Sequence, residues 1–289
     1  MSQVLPAPSP PRLTEVPARP PYLGRLLELR ADPLAMLTRL ASAYGDYVRF
    51  RVLTERIVLV THPDLVEELL VKHRGLERDR VTHSLRPVLG QGLLTAEGDH
   101  WKQQRARMAP SFSPRQVAGY GDVMVASARA EAAPTGHQNL HPYFSALTFD
   151  VVIRTLFGMA PGGEAAEVAP LLDSLMDAFE VENRTLWRWV PWEVPSPHRV
   201  RVRRQVARLH ALMDGLIARA RANPDARTLV ARIMEARDET GAPMADAQLR
   251  DELLTMILAG HETTALTLTY AVWQLAEHPA LQEELHAEI

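Results

Sequence analysis

The chain has 289 residues, 46% of them hydrophobic, enough to bury one large core or two ordinary ones. A net charge of −3 gives no global attraction to nucleic acid. The absence of cysteine excludes disulfides, thiolate metal sites and a cysteine nucleophile within these residues.

The first 22 residues hold seven prolines and no long apolar run. They read as neither a signal peptide nor a transmembrane anchor, so a cytoplasmic protein with a flexible Pro-rich arm over residues 1–19 is expected. Asp32-Pro33 before Leu34, Met36, Leu37 and Leu40 predicts an N-capped amphipathic helix ending near Gly45. Tyr47–Val52 alternates with period two and Ile57–Val60 is a short apolar run, so two strands follow. Pro63 opens a further helix, to about His73.

Residues 76–98 read as a long glycine-bearing loop. Helical patterns then cover about 99–108, 115–132, 141–158, 168–183, 198–222, 225–237 and 246–277. The fold class is mainly α with a small N-terminal β-sheet, in a single domain over residues 20–289.

The last of these segments carries the chemistry. Leu249 to Glu277 has no proline, and its apolar residues fall on all sides, so a long helix buried all round is expected. Gly260, Glu262, Thr263 and Thr264 interrupt it. Glycine weakens a helix, paired β-branched residues lose side-chain freedom, and a carboxylate in apolar surroundings needs a partner. Local rules broken together point to a functional site. Ala259, Glu262 and Thr263 lie near one face. Ala259 leaves room for a flat group, the Thr263 hydroxyl can bond the Ala259 carbonyl and bend the helix, and Glu262 can supply protons. The same residues also fit a core helix with back-bonded threonines and a salt-bridged glutamate.

Ala259-Gly260-His261-Glu262-Thr263-Thr264 resembles the (Ala/Gly)-Gly-x-(Asp/Glu)-Thr-(Thr/Ser) signature of the cytochrome P-450 superfamily. The family carries that signature on a long central helix over the distal face of its haem. A second stretch, Gly98-Asp99-His100-Trp101 … Arg105 … Pro110-Ser111-Phe112, is similar to the family's third-helix region. By itself it reads as an Asp99-capped helix with a stacked Trp–Arg pair, and His100 as a solvated first-turn residue. The two motifs stand in family order, and the resemblance runs from about Pro20 to Ile289.

The resemblance implies a P-450 fold and a haem (iron protoporphyrin) monooxygenase. Trp101 and Arg105 would hold the propionates, with Ala259 and Gly260 against the macrocycle. Glu262 and Thr263 would organise proton delivery to O2. Electrons would come from NAD(P)H through a ferredoxin- or flavodoxin-type redox partner. The substrate would be a lipophilic small molecule such as a fatty acid, carotenoid or terpenoid. The family's axial cysteine and the Glu-x-x-Arg pair before it do not follow the long helix, so no metal ligand is assigned. The chain is therefore expected to be an N-terminal piece, incomplete at its C-terminus and inactive as given. A non-catalytic remnant or lipid-binding paralogue is the alternative.

Other signals are weaker. Trp187, Trp189 and Trp192 among prolines suit either an apolar substrate lid or a loop pinned to the core. The run His198, Arg199, Arg201, Arg203, Arg204 and Arg208 reads as a solvated helix face. His137 and His141 read as loop surface. His261-Glu262 begins like a zinc H-E-x-x-H motif, but Ala265 stands where the second histidine belongs. Gly90-Gln91-Gly92 lacks the third glycine of a dinucleotide loop.

Overall fold

The structure, a computed structural model, describes residues 12–18, 22–73, 75–130, 139–185, 190, 192, 194–223, 228–238 and 240–288. Its contacts divide the chain into two compact units, Met1–Glu77 and Arg78–Ile289.

In the first unit, the described strands β1 (Thr14–Glu15), β2 (Tyr47–Val52) and β3 (Glu55–Val60) form one sheet in the order β1-β2-β3. β1 runs parallel to β2 and β3 antiparallel to it, with Phe50 opposite Ile57. Thr14–Glu15 falls in the stretch expected to be a flexible arm. The arm is ordered there because Val16 is buried and its N–H bonds the Arg49 carbonyl at 2.8 Å. Helix α1 (Leu26–Ala31) precedes α2 (Pro33–Tyr44), which starts as the sequence suggests: Asp32 accepts from the Ala35 N–H at 2.9 Å and Pro33 takes the first turn. Met36 and Leu40 of α2 join Val48, Phe50 and Val52 in one apolar cluster. Helix α3 (Pro63–Glu67) widens into a π turn over Glu68–Lys72.

The second unit is helical. The expected loop over 76–98 contains two short helices, α4 (Arg80–His83) and α5 (Arg86–Leu89). They are followed by α6 (Gly98–Met108), α7 (Pro114–Ala118), α8 (Gly121–Ala130), α9 (His141–Phe157) and α10 (Val168–Arg184). Then come α11 (Pro197–Ala222), α12 (Leu229–Glu235), α13 (Asp246–Glu277) and α14 (Pro279–Glu288). The single helix expected over 115–132 is two, broken around Gly119-Tyr120. Gly158, left-handed at φ 70°, closes α9. Phe149, Ile153, Leu172, Leu175, Leu209, Leu216, Leu253 and Ile257 bring α9, α10, α11 and α13 into one core.

Two glycines set the approach of the loop after α5 to α13. A Cβ on Gly92 would lie 2.2 Å from Thr255 Oγ1 and 2.6 Å from the Asp251 carbonyl oxygen. One on Gly90, which also has φ +52°, would lie 1.9 Å from Asp251 Oδ2. Gly92→Ala should therefore cost about 1–3 kcal/mol in chemical denaturation, the usual cost of overpacking. Gly121→Ala, where nothing lies within 4 Å, should be neutral or stabilising in the same assay.

Candidate active site

Helix α13 changes character along its length. Its first half is buried: Leu249, Leu253, Leu254 and Ile257 are fully enclosed. Its second half is buried on one side only, at His261 and Ala265. Ala259 and Thr263 are exposed, as are Leu266, Tyr270 and Trp273, so the expectation of a helix buried all round fails beyond residue 258.

The motif residues straddle this change. The Thr263 hydroxyl donates to the Ala259 carbonyl, as its spacing allows, and Thr267 and Thr269 repeat the pattern on Thr263 and Ala265 at 2.8 Å each. Gly260 faces the other way. A Cβ there would meet Val152 Cγ2 at 3.1 Å, so its small size lets α9 come close. Glu262 is half-exposed and its Oε1 lies 3.1 Å from His141 Nε2. His141 is therefore the first residue of α9 and a partner of the motif acid, not free loop surface; His137 lies outside the described residues.

His261, the unspecified position of the motif, is 1% exposed. Its Nε2 is 2.7 Å from Ser145 Oγ, its ring meets Phe149 edge-on, and its carbonyl accepts from Thr148 at 3.0 Å. Burial pushes the imidazole pKa down, only partly opposed by Asp173 and Glu262. Burial likewise raises the Asp173 carboxyl, with His261 opposing it.

Trp101 and Arg105 lie together on α6, the guanidinium carbon 5.3 Å from the ring centroid. Among the described residues neither the indole N–H nor the exposed guanidinium has an acceptor. The helix starts one residue earlier than expected. Its N-cap is Glu97, while Asp99 pairs with Lys102 at 2.7 Å in the first turn. His100 is half-buried, not solvated, and its Nε2 has no partner among the described residues.

The link between the two motifs was not foreseen. The Asp251 carboxylate accepts from Gln91 N–H and that of Glu252 from Leu93 N–H, both at 2.9 Å. Gln248 Nε2 donates to the Gln91 carbonyl at 3.0 Å and to Glu252 Oε1 at 2.8 Å. The loop that leads into α6 is thus fastened to the start of α13. From Leu93 to Gly98 the chain can reach at most about 17 Å, which keeps the first turn of α6 near that helix. The signal was present as Gln248, Asp251, Glu252 and Thr255 at helical spacing, but their partners lie about 160 residues earlier, at separations of 160 and 159.

A cavity of about 520 Å³ is lined by Arg80, His83, Pro87, Phe179, Val190 and Trp192, among others. Trp192 stacks on Phe179 at 5.7 Å; Trp187 and Trp189 lie outside the described residues. Arg199, expected on a solvated face, is buried and ion-paired with Glu182, and it also donates to the carbonyls of Val190 and Val194.

The cytochrome P450 family profile matches residues 15–289. The chain belongs to the cytochrome P450 family. It is 30% identical over 285 residues to putative cytochrome P450 135A1 of Mycobacterium tuberculosis, covering 93% of this chain and 62% of that protein. To cyclooctatin synthase of Streptomyces melanosporofaciens it is 31% identical over 295 residues, covering 96% and 62%. To pentalenene oxygenase of Streptomyces avermitilis it is 28% identical over 283 residues, covering 94% and 62%. The solved structure of the retinoic acid-bound cyanobacterial CYP120A1 superposes with a TM-score of 0.75 at 20% identity, over 92% of this chain and 61% of that one. The chain thus spans about 62% of the length of these curated relatives. Membership of this P450 family implies a haem cofactor, and among the described residues no helix is long and apolar enough to cross a membrane.

Burial dominates the chemistry of the α13 anchor. It raises the Glu252 carboxyl from 4.5 to about 7, against the opposing bonds from Leu93 and Gln248. A carboxyl raised in the folded state binds more protons there than in the unfolded chain, so the Glu252 contribution to stability is full below pH 4.5 and is lost as pH rises to about 7. The Glu252 share of that loss is about 3 kcal/mol at most. Glu252→Gln keeps an acceptor for Leu93 and should flatten this part of a pH series of urea midpoints. An unchanged slope would mean the decline comes from other groups.

Proposed function

We propose that this P450 chain contributes the distal and propionate-holding part of a haem monooxygenase that hydroxylates a lipophilic small molecule. On this reading O2 is the co-substrate, and electrons from NAD(P)H arrive through a ferredoxin- or flavodoxin-type redox partner in the cytoplasm. Fatty acids, carotenoids and terpenoids are the candidate substrates. The relatives named for pentalenene and for cyclooctat-9-en-7-ol favour the terpenoid class. The cavity between the 80–87 and 179–192 stretches, with Phe179 and Trp192 in its wall, suits an apolar ligand.

The residues present fit a haem. Trp101 and Arg105 offer an indole N–H and a guanidinium fork with no acceptor among the described residues, a donor set suited to two propionates. Ala259, exposed and small, leaves room for a flat ring beside α13. When bound, haem supplies the iron at which O2 is activated. Glu262 then holds a proton at its carboxylate, steadied by His141, and Thr263 presents its hydroxyl one residue on. Gly260 serves the same stretch by admitting α9. The chain contains no cysteine, so the thiolate that the family places on the iron cannot come from these residues, and alone they would be inactive.

The observation that carries this reading is the Thr263 hydroxyl bound to the Ala259 carbonyl, next to the half-exposed Glu262, where a buried helix becomes open. In a longer protein that contains the thiolate ligand, Thr263→Ala should raise hydrogen peroxide release per NAD(P)H consumed with little change in haem content. Unchanged coupling would remove Thr263 from proton handling. Arg105→Ala should lower haem retention on gel filtration; full occupancy would remove its anchoring role.

A further inference from the structure

The motif acid also belongs to a second cluster, two of whose members, His261 and Asp173, the haem reading does not use. A ring nitrogen of His261, a carboxylate oxygen of Asp173 and one of Glu262 all lie within 4.8 Å of one another. Asp173 comes from α10 and the other two from successive positions of α13. His261 is almost wholly buried, and with Nε2 beside Ser145 its Nδ1 has no hydrogen-bond partner among the described residues. A buried nitrogen left without a partner costs about 1–3 kcal/mol, so an orphan on the histidine of this cluster calls for an explanation.

We propose that His261, Asp173 and Glu262 form a binding site for a first-row divalent cation, zinc foremost. The donor set is one imidazole and two carboxylates, whose combined charge balances a divalent ion. A cation at Nδ1 needs the lone pair there, so Nε2 would carry the proton and donate it to Ser145 Oγ, 2.7 Å away; Ser145 would then play the orienting part that a ligand histidine needs. His141 does the same for Glu262, holding Oε1 and leaving the other oxygen free. Ligands of a tetrahedral zinc lie about 3.3 Å apart, so the atoms must close in by about 1–1.5 Å. His261 is fixed by packing, but Asp173 is exposed and Glu262 half-exposed, so both carboxylates can swing. The site leaves a fourth position for water. Where Glu262 handles protons, as proposed above, a bound cation would occupy that carboxylate and slow turnover. That consequence rests on the functional reading; the binding itself does not.

The test is zinc binding by the purified 289-residue chain, with zinc chloride alone in competition with a chromogenic indicator. One zinc per chain is expected. Asp173→Asn, an exposed change that should leave the circular dichroism and thermal midpoint as in wild type, should weaken binding at least about tenfold. His141→Gln should weaken it about tenfold through Glu262. Asp177→Asn, an exposed carboxylate one turn from Asp173, should leave it unchanged. Lack of saturable one-to-one binding overturns the site. So does unchanged affinity in Asp173→Asn, or an equal loss in Asp173→Asn and Asp177→Asn, which would mark a diffuse charge effect. None of these outcomes depends on haem, so failure here leaves the monooxygenase reading standing.

Discussion

The second unit depends on a polar clasp inside an apolar helix bundle. Asp251 and Glu252, both under 10% exposed, sit in the first turns of α13 and accept backbone N–H groups of Gln91 and Leu93. Two adjacent buried carboxylates are costly, and the cost is met by hydrogen bonding and, for Glu252, by a raised pKa. In return the loop between α5 and α6 has one permitted position. Gly90 and Gly92 make that position possible because any side chain would strike Asp251 or Thr255. Further bonds lock the same loop: Thr95 Oγ1 donates to the Gly90 carbonyl at 2.7 Å and Arg78 to the Leu93 carbonyl at 2.9 Å. Glu97, which follows, holds the Arg78 N–H at 2.7 Å and His83 at 2.9 Å. The start of α6, with Trp101 and Arg105, therefore inherits its placement from α13.

Much of the fold was legible because it follows short-range rules. The α2 start at Asp32-Pro33, the hairpin strands, and the α9, α11 and α13 bounds are written in caps and periodicity. The 76–98 stretch was not legible: α4 and α5 are four residues each, too short for a periodic signal, and are set by Asp79 as a cap and by packing of Val88 and Leu89. Arg199 was misread for a related reason. Its charge marks it as solvated, and only the tertiary fold brings Glu182 of α10 to it.

The candidate site divides the same way. Thr263 and Ala259 are four apart on one helix, so their bond could be foreseen from spacing alone. Gly260 could be marked as unusual but not aimed, because which neighbour it admits depends on where α9 crosses. His141, Ser145 and Asp173 were invisible as partners of the motif. They lie on two other helices, 121 and 116 residues away from their contacts in the case of His141 and Ser145.

The polar groups of α13 are of two kinds by partner. Asp251 and Glu252 are tied to the 91–93 loop, His261 to Ser145 and Glu262 to His141. The hydroxyls of Thr255, Thr263, Thr267 and Thr269 instead bond the helix's own carbonyls. A back-bonded hydroxyl can release its carbonyl and reorient at small cost, about the 0.5–1.5 kcal/mol net value of one hydrogen bond, without disturbing a neighbouring element. The two kinds meet at Glu262 and Thr263. Glu262 and Thr263, adjacent in the chain, therefore differ in what holds them: the carboxylate answers to α9, the hydroxyl only to its own helix.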